Sequence, residues 1–448
     1  MIELAKRAVE AALGAGASDA EAYASEERAR EVRAHGGAIE SFTAATQRGV
    51  GVRAWIEGRV GYAFGTDLSE PGLAAVAARA AQAATVADED EFAAPPEPVG
   101  AVEQIEGLSD PSLAEWGTAK VADLALAVER SALEADPRIA GVEQAVYAES
   151  ADRVAIASST GVDGEYEASS CYAYLQALAE GDGGRETGLG FDLARGPAGL
   201  DPAAIGREGA ERAVAMIGAG KPDSRSCPIV LDQTVAASFV GLIGGTLGAD
   251  AVQRGRSPFA ERLGEEIAGE ALVLHDDGLQ PAGLASAPFD GEGMPHHRIA
   301  LIEGGCLRSY LFDTYTARRG GAVTTANAGR RSYRAQPSVS ASNLFVAPGS
   351  LSTEELLREA GDGVYVTDVA GLHSGVNPVS GVFSVGASGR RIAAGELADP
   401  VREFTIASDL VSMLRVVREA GSEARWVPFG GSVCTPPLLI AEMTVSGA

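Results

Sequence analysis

Val50-Gly51-Val52-Arg53-Ala54-Trp55-Ile56-Glu57-Gly58-Arg59-Val60-Gly61-Tyr62-Ala63-Phe64 is the stretch from which the fold class is read. Val50 to Ile56 and Val60 to Phe64 are runs suited to strands, and Glu57-Gly58 sits between them where a turn belongs, so the segment reads as a β-hairpin. Outward from it, strand-like runs fill Ala20 to Thr66, with Gly36-Gly37 at a second turn. Before them, Ile2 to Ala15 repeats apolar residues at helical spacing and stops at Gly14 and Gly16. After them, Ser69-Glu70-Pro71 opens a helix through Ala84. There the serine caps, the glutamate suits the positive helix end, and proline is tolerated in the first turn.

The same order then recurs. Asp88 to Gly100 is an acidic, proline-rich connection that opposes both helix and buried strand, and it marks a boundary. Pro111 to Ala135 predicts a helix. Strands follow at Ala140–Ala148, Arg153–Ser158, Glu165–Glu180 and Arg185–Leu193, and Asp201-Pro202 starts a helix to near Ile217. Helix, antiparallel strands, then a helix opened by an acidic residue and proline: the shared order favours a diverged duplication, although such α+β layouts also recur without common ancestry.

A third region begins near Cys227. Pro228 to Leu231 reads as a buried strand and Val235 to Leu247 as an apolar helix with glycines. Short strands with glycine turns come next, at Ala300–Glu303, Leu307–Phe312, Gly363–Val369 and Ser380–Val385. Thr353–Ala360 and Ala407–Glu419 read as helices, and Leu438 to Val445 alternates as a strand that closes a sheet. The fold class is therefore α+β. An N-terminal α/β region of helices and antiparallel strands covers 1–95 and 105–222, and a β-rich C-terminal domain covers 226–448.

Composition narrows the function. With 46% apolar and 22% charged residues the chain is a globular protein, and no run of roughly 20 apolar residues predicts a membrane span. Met1 to Lys6 lacks the basic and apolar regions of a secretory signal, so a cytoplasmic address is expected. A net charge of -26 argues against nucleic acid as partner. Cys171, Cys227, Cys306 and Cys434 lack C-x-x-C spacing, and no histidine pair has H-E-x-x-H spacing. There is no G-x-S-x-G elbow, and Gly241 to Gly248 is not a phosphate loop.

In order along the last half of the chain come Asp250-Ala251-Val252-Gln253-Arg254-Gly255-Arg256-Ser257, Arg262-Leu263-Gly264-Glu265 and Phe289-Asp290-Gly291-Glu292-Gly293-Met294-Pro295. Leu301-Ile302-Glu303-Gly304-Gly305, Leu311-Phe312-Asp313, Ser342-Asn343-Leu344, Gly375-Val376-Asn377-Pro378-Val379-Ser380-Gly381-Val382-Phe383-Ser384 and Gly395-Glu396 follow. This ordered series resembles the signatures of the TldD/PmbA (TldD/TldE) family. In that family the TldD subunit carries H-E-x-x-x-H with a distant cysteine. Two imidazoles and a thiolate suit zinc, and the glutamate serves as general base. The resemblance puts the histidine positions at Val240 and Gly245, the glutamate position at Gly241 and the cysteine position near Ala420, so every functional group is missing. Cys434 falls after the Trp426-Val427-Pro428 marker, in what reads as the closing strand, and is no substitute. A spacing of five residues also does not align on a regular helix.

The resemblance implies a TldE-like (PmbA-like) chain with no metal or catalytic residue of its own, and it places zinc in a TldD-like partner. That pair would act on peptides or peptide-like natural-product precursors as a heterodimer or larger, with self-association possible when the partner is missing. Two alternatives remain open: a stand-alone, zinc-independent amidase or condensing protein of small-molecule biosynthesis, and a homodimeric peptide-binding protein. Candidates for lining a substrate or partner cavity are His373 and Asn377, and Arg330 and Arg331, which could fork onto a peptide carboxylate but better suit a solvated turn or an internal ion pair. His296 and His297 are adjacent in an extended segment and point to opposite faces, so they read as packing residues. Asp290 and Glu292 flank Gly291 and suit a turn with acceptor side chains at least as well as a pair of catalytic acids.

Overall fold

The hairpin becomes part of a long sheet. In the computed structural model, which describes residues 1–181 and 184–447, α1 (Ile2–Gly14) precedes β1 (Asp19–His35), β2 (Ala38–Ile56) and β3 (Arg59–Gly65), and α2 (Glu70–Val86) follows. After α3 (Ser112–Glu115) and α4 (Thr118–Ala135) the order recurs as β4 (Ile139–Ser158), β5 (Asp163–Gly181), β6 (Gly184–Ala194) and α5 (Pro202–Val214). The six strands form one antiparallel sheet in the order β3-β2-β1-β4-β5-β6. β1 and β4 pair at its centre, from Glu21↔Ser158 to Ala34↔Ala145, where a two-fold repeat would place them. Regions 1–95 and 105–222 thus share a single sheet.

Alternation on these strands assigns the faces. Ala20, Ala22 and Ala24 of β1 with Val50, Val52 and Ala54 of β2 pack beneath α1 and α2, and Ala145 and Tyr147 of β4 pack with α4 and α5. Tyr23, Val154 and Ile156 point the other way, onto Phe289, Met294 and Tyr333 of the C-terminal region. Two local expectations are corrected. The helix over Pro111 to Ala135 is broken at Trp116-Gly117, and Arg30 of β1 donates to the freed carbonyls of Trp116 and Leu113 at 2.7 and 3.2 Å. The break between Ala148 and Arg153 does not occur, because residues 149–152 stay paired with both β1 and β5, and buried Glu149 is held by Arg30 and Tyr147.

β7 (Arg225–Leu231), α6 (Gln233–Thr246) and α7 (Ala249–Gln253) open the C-terminal region. β8 (Leu274–Asp277), β9 (Arg298–Glu303), β10 (Cys306–Leu307), α8 (Thr314–Gly320), β11 (Ala328–Gly329), β12 (Ser338–Val339) and β13 (Asn343–Val346) follow. Then come α9 (Thr353–Ala360), β14 (Gly363–Ala370), α10 (Leu372–Gly375), β15 (Val382–Ala393), β16 (Glu396–Asp409) and α11 (Leu410–Arg415). The last strands are β17 (Val417–Ala420), β18 (Arg425–Val427), β19 (Ser432–Thr435) and β20 (Leu438–Ser446). One sheet has the order β16-β15-β14-β7-β20-β17, and β16 also pairs with β20, so five of these strands close on themselves as a barrel. β20 is the closing strand that the alternation of Leu438 to Val445 predicts. The other sheet, β10-β9-β8-β13-β19-β18, faces the barrel across α6, whose Val235, Phe239, Val240 and Ile243 are buried between them.

The helix expected over Ala407–Glu419 is a strand, one short helix and a strand. Its apolar residues Leu410, Val411, Met413 and Leu414 are all buried, but the preceding residues are claimed by the β16–β20 closure, and Asp409 caps α11 by accepting from Ser412 N at 2.9 Å. The strand expected over Leu307–Phe312 is reduced to the Cys306–Leu307 pairing with β9 and an isolated parallel bridge from Leu311 to Gly248. Tyr310 instead turns its hydroxyl onto the Phe259 carbonyl at 2.6 Å. Cys434 lies on β19 and not on the closing strand. The acidic connection docks on the C-terminal region: Arg318 Nη2 donates to the Pro95 carbonyl at 2.6 Å, and Tyr315 Oη to Asp90 Oδ2 at 2.9 Å. Among the described residues no helix is long and apolar enough to cross a membrane.

Candidate functional site

Two cavities lie side by side and share the wall 339–342, the larger where the N-terminal sheet meets the C-terminal region and the smaller within the C-terminal region. The larger, about 400 Å³, is lined by Tyr23 and Tyr166 of the sheet and by Asp290, His296, Asn327 and Arg331 among others. The smaller, about 200 Å³, is bounded by Gly241, Gly244, Gly245 and Gly248 on one side and Gly430-Gly431 on the other.

The shared wall is fixed from behind. Asp276 of β8 is buried and accepts from Asn327 Nδ2 at 2.6 Å, Ser342 N at 2.8 Å and Ser342 Oγ at 2.9 Å. Asn343 is fully buried: its Nδ2 donates to the Asp277 carbonyl and Ser286 Oγ, and its Oδ1 accepts from Ala285 N and Ser432 Oγ. This gives Ser342-Asn343-Leu344 a structural role, because the pair ties three strands and a loop together. Asp290 is an acceptor as well: Oδ1 takes Glu292 N at 2.8 Å and Met294 N at 2.9 Å, and Oδ2 takes Ala328 N at 3.0 Å. Asp290 and Glu292 therefore build a turn, with Glu292 receiving Thr314 N and Oγ1 on one oxygen and Arg53 on the other.

Behind the larger cavity sits a buried ionic network that joins the two regions. Glu21 of β1 accepts from Arg53 Nε at 3.1 Å and Arg330 Nη1 at 2.7 Å, and Arg53 Nη1 donates to Glu292 Oε1 at 2.9 Å. Arg330 stacks its guanidinium 4.4 Å from the Tyr23 ring centroid. Burial pushes Glu21 upward, but Arg53 and Arg330 outweigh it and hold the carboxyl below its ordinary value. The sequence carries a faint signal for Arg53, the lone charge in the strand run Val50–Ile56, but none for Glu21, which follows Asp19 in a strand with many charges.

The predicted residues separate. The Arg330 side chain is wholly buried in this network, so only its backbone borders the cavity; Arg331 is exposed at the rim. His373 is exposed on α10, and Asn377 Oδ1 accepts from Val379 N and Ser380 N at 3.0 and 3.2 Å. Neither borders the two cavities. His296 is half-buried against Gly278 and pushed down to about 4 by burial and by His297, which is exposed on the other side.

The three helix positions also part company. Val240 is buried in the core, whereas Gly241 and Gly245, one helical turn apart, face the smaller cavity. A β-carbon at Gly241 would come 2.8 Å from the Gly430 carbonyl oxygen, but one at Gly245 would meet nothing. Gly245→Ala is therefore expected to raise stability by about 0.5–1 kcal/mol, the ordinary gain inside an exposed helix, as read by chemical unfolding. Ala420 is buried on β17 and Cys434 is buried with its thiol pushed up to about 11. No group of three His, Cys, Asp or Glu suited to a metal occurs among the described residues. The side chains at these positions do not fit zinc.

Three family models match in series: domain 1 over 20–84, the central domain over 111–217 and the C-terminal domain over 224–447, each described as a PmbA/TldA metallopeptidase domain. The chain belongs to the PmbA/TldD family. Among its PmbA/TldD relatives, metalloprotease PmbA of Escherichia coli O157:H7 is 28% identical, over 97% of this chain and 94% of its own. A metalloprotease of Methanothermobacter thermautotrophicus is 33% identical over 49% of this chain and 48% of its own. A Thermotoga maritima crystal structure, described as a proposed modulator of a DNA gyrase, superposes with a TM-score of 0.91 at 26% identity, covering 99% of each chain. TldE from Thermococcus kodakarensis shares the fold, with a TM-score of 0.90 at 21% identity over 99% of this chain and all of that one.

Two carboxyls at this site make stability depend on pH. Burial pushes Asp276 up to about 6, and burial with the neighbouring Glu292 carboxylate raises Asp290 above the ordinary carboxyl value as well. Their contribution is complete below the unfolded-state value and is lost as pH rises through the folded-state values. The melting midpoint should thus fall as pH rises from about 4, with the Asp276 part of the loss complete a little above pH 6. Asp276→Asn should remove the part of that fall between about pH 4 and pH 6, and an unchanged profile in that variant would refute the assignment.

Proposed function

We propose that this chain is the metal-free, non-catalytic subunit of a TldD/TldE-type metallopeptidase that acts on peptides or peptide-like precursors, with zinc held by a TldD-like partner bearing H-E-x-x-x-H. The observation that carries the reading is α6, where Val240 is turned into the core and Gly241 and Gly245 leave a bare cavity in place of donors. Membership of a metallopeptidase family supports the protease-related part of the reading. In this role the chain contributes surface and shape: the two adjoining cavities, the fixed wall 339–342 between them, and Arg331 at the rim of the larger. A cytoplasmic setting for the pair is part of the same proposal.

The test is peptide hydrolysis by the purified chain, alone and mixed with an H-E-x-x-x-H homologue, with zinc content recorded for each. Activity is expected only in the mixture, with zinc following the partner. Hydrolysis by the metal-free chain alone would overturn the reading and favour a stand-alone amidase.

A further inference from the structure

We propose that a third cavity, between the β1–β4 face of the N-terminal sheet and residues 330–333, takes the lysine or arginine side chain of a bound peptide, with Asp152 and Glu27 as its counter-charges. The inference names a substrate class for the proposed peptidase role and rests on that reading. The cavity holds about 250 Å³ and adjoins the larger one, with which it shares Tyr23, Tyr166 and Arg331. Its floor is one face of the sheet, where Gln47, Glu27 and Asp152 stand directly opposite one another on β2, β1 and β4. Its roof is Leu284 to Ala287 and Arg330 to Tyr333. The volume is below the ~300–1,000 Å³ of cavities that enclose whole small ligands, and it suits one long side chain.

Like charges directly opposite one another on adjacent strands repel. Glu27 and Asp152 nonetheless face each other, and among the described residues no cation pairs with either. Asp152 accepts from Ser150 Oγ at 2.7 Å, and burial together with Glu27 pushes it up to about 6. The two cations of the roof do not neutralise the pair: Arg330 is bound to Glu21 at 2.7 Å, and Arg331 is exposed at the rim with no ion pair among the described residues.

Two phenols add to the demand. Tyr23 is 5% exposed and Tyr166 half-buried, both line the cavity, and neither hydroxyl has a hydrogen-bond partner among the described residues. Buried polar groups are ordinarily hydrogen-bonded. Two unpartnered hydroxyls beside two unpaired carboxylates therefore form a set of acceptors arranged for a cationic donor. The walls between them, Val154, Ala168, Leu284 and Ala287, are apolar and suit the methylene stem that lysine and arginine bury behind a charged head. A metal ion fits less well, because Glu27 and Asp152 are the only lining residues among His, Cys, Asp and Glu. A peptide in the larger cavity can lower its basic side chain here, and the net charge of -26 favours its approach.

Calorimetric binding to the full, metal-free chain tests it, with blocked alanine pentapeptides carrying lysine, arginine or norleucine at the centre. The lysine and arginine peptides should bind with Kd at or below ~1 mM, and at least about tenfold more tightly than the norleucine peptide. Asp152→Asn should erase that preference and Glu27→Gln should reduce it. Both variants should melt at or above the wild-type midpoint, since each relieves the repulsion. No binding of the basic peptides, equal affinity for lysine and norleucine, or a preference that survives in Asp152→Asn would each overturn the proposal. The same peptides offered to the mixture with an H-E-x-x-x-H homologue separate it from the peptidase role. Cleavage without preference for a basic residue removes this inference and leaves that role, whereas Asp152-dependent binding without cleavage removes the role and leaves the cavity's ligand.

Discussion

Glu21→Gln is expected to destabilise the folded chain by about 3–5 kcal/mol, the cost of leaving buried charges without their partner. The carboxylate is the shared acceptor of Arg53 and Arg330, and both guanidinium groups lie away from water. Glutamine keeps the shape and one acceptor oxygen but removes the charge, so Arg53 retains only Glu292 and Arg330 loses its ion pair altogether. Because Glu21 and Arg53 belong to the sheet and Glu292 and Arg330 to the C-terminal region, the loss should fall on the joint between them. Denaturant unfolding should show a lowered midpoint, with the transition broadening or splitting as the two regions uncouple. A cooperative transition at the wild-type midpoint would show that the network contributes nothing net.

Gly190→Ala and Gly61→Ala should each cost about 3 kcal/mol, at the upper end for overpacking, because neither site can yield without moving a helix. A β-carbon on Gly190 of β6 would sit 2.0 Å from the Ile205 carbonyl oxygen of α5, and one on Gly61 of β3 would sit 2.0 Å from the Ala80 carbonyl oxygen of α2. The two glycines hold equivalent places in the two halves of the sheet, each letting the closing helix lie against its edge strand. Gly141→Ala on β4, where a β-carbon meets nothing within 4 Å, is the control and should change little. Equal midpoints for all three variants in denaturant titrations would mean that the helices shift outward freely.

The N-terminal sheet was legible because its strands and helices carry strong local signals: the Glu57-Gly58 turn, the Ser69 and Asp201 caps and the alternation through β5. The joining of both halves through β1 and β4 was not, since a strand's partner more than 100 residues away leaves no local trace. In the C-terminal region α9 has the bounds expected of it, and the structure adds the Ser352 capping box that fixes its start, whereas α11 was overextended because burial on both sides of a short helix imitates the spacing of a long one. The family signatures located the cavity walls. Their residues were legible as a series but only partly in their roles: for Arg330 the internal ion pair, one of the readings its sequence allowed, is the one the fold realises, while its partner Glu21 and the neighbouring Arg53 carry no motif.

The barrel carries a consequence for how the chain is made. β7 lies between β14 and β20, and its partner residues Leu231 and Leu438 stand at opposite ends of the C-terminal region. During synthesis the six-stranded N-terminal sheet has all its strands before β7 emerges, so it can settle as a unit. β7 then waits, apolar and unpaired on one side, until β20 has left the ribosome. The nascent protein thus passes through an interval in which a finished half carries an unfinished one, and that interval is where chaperone capture or mispairing would act.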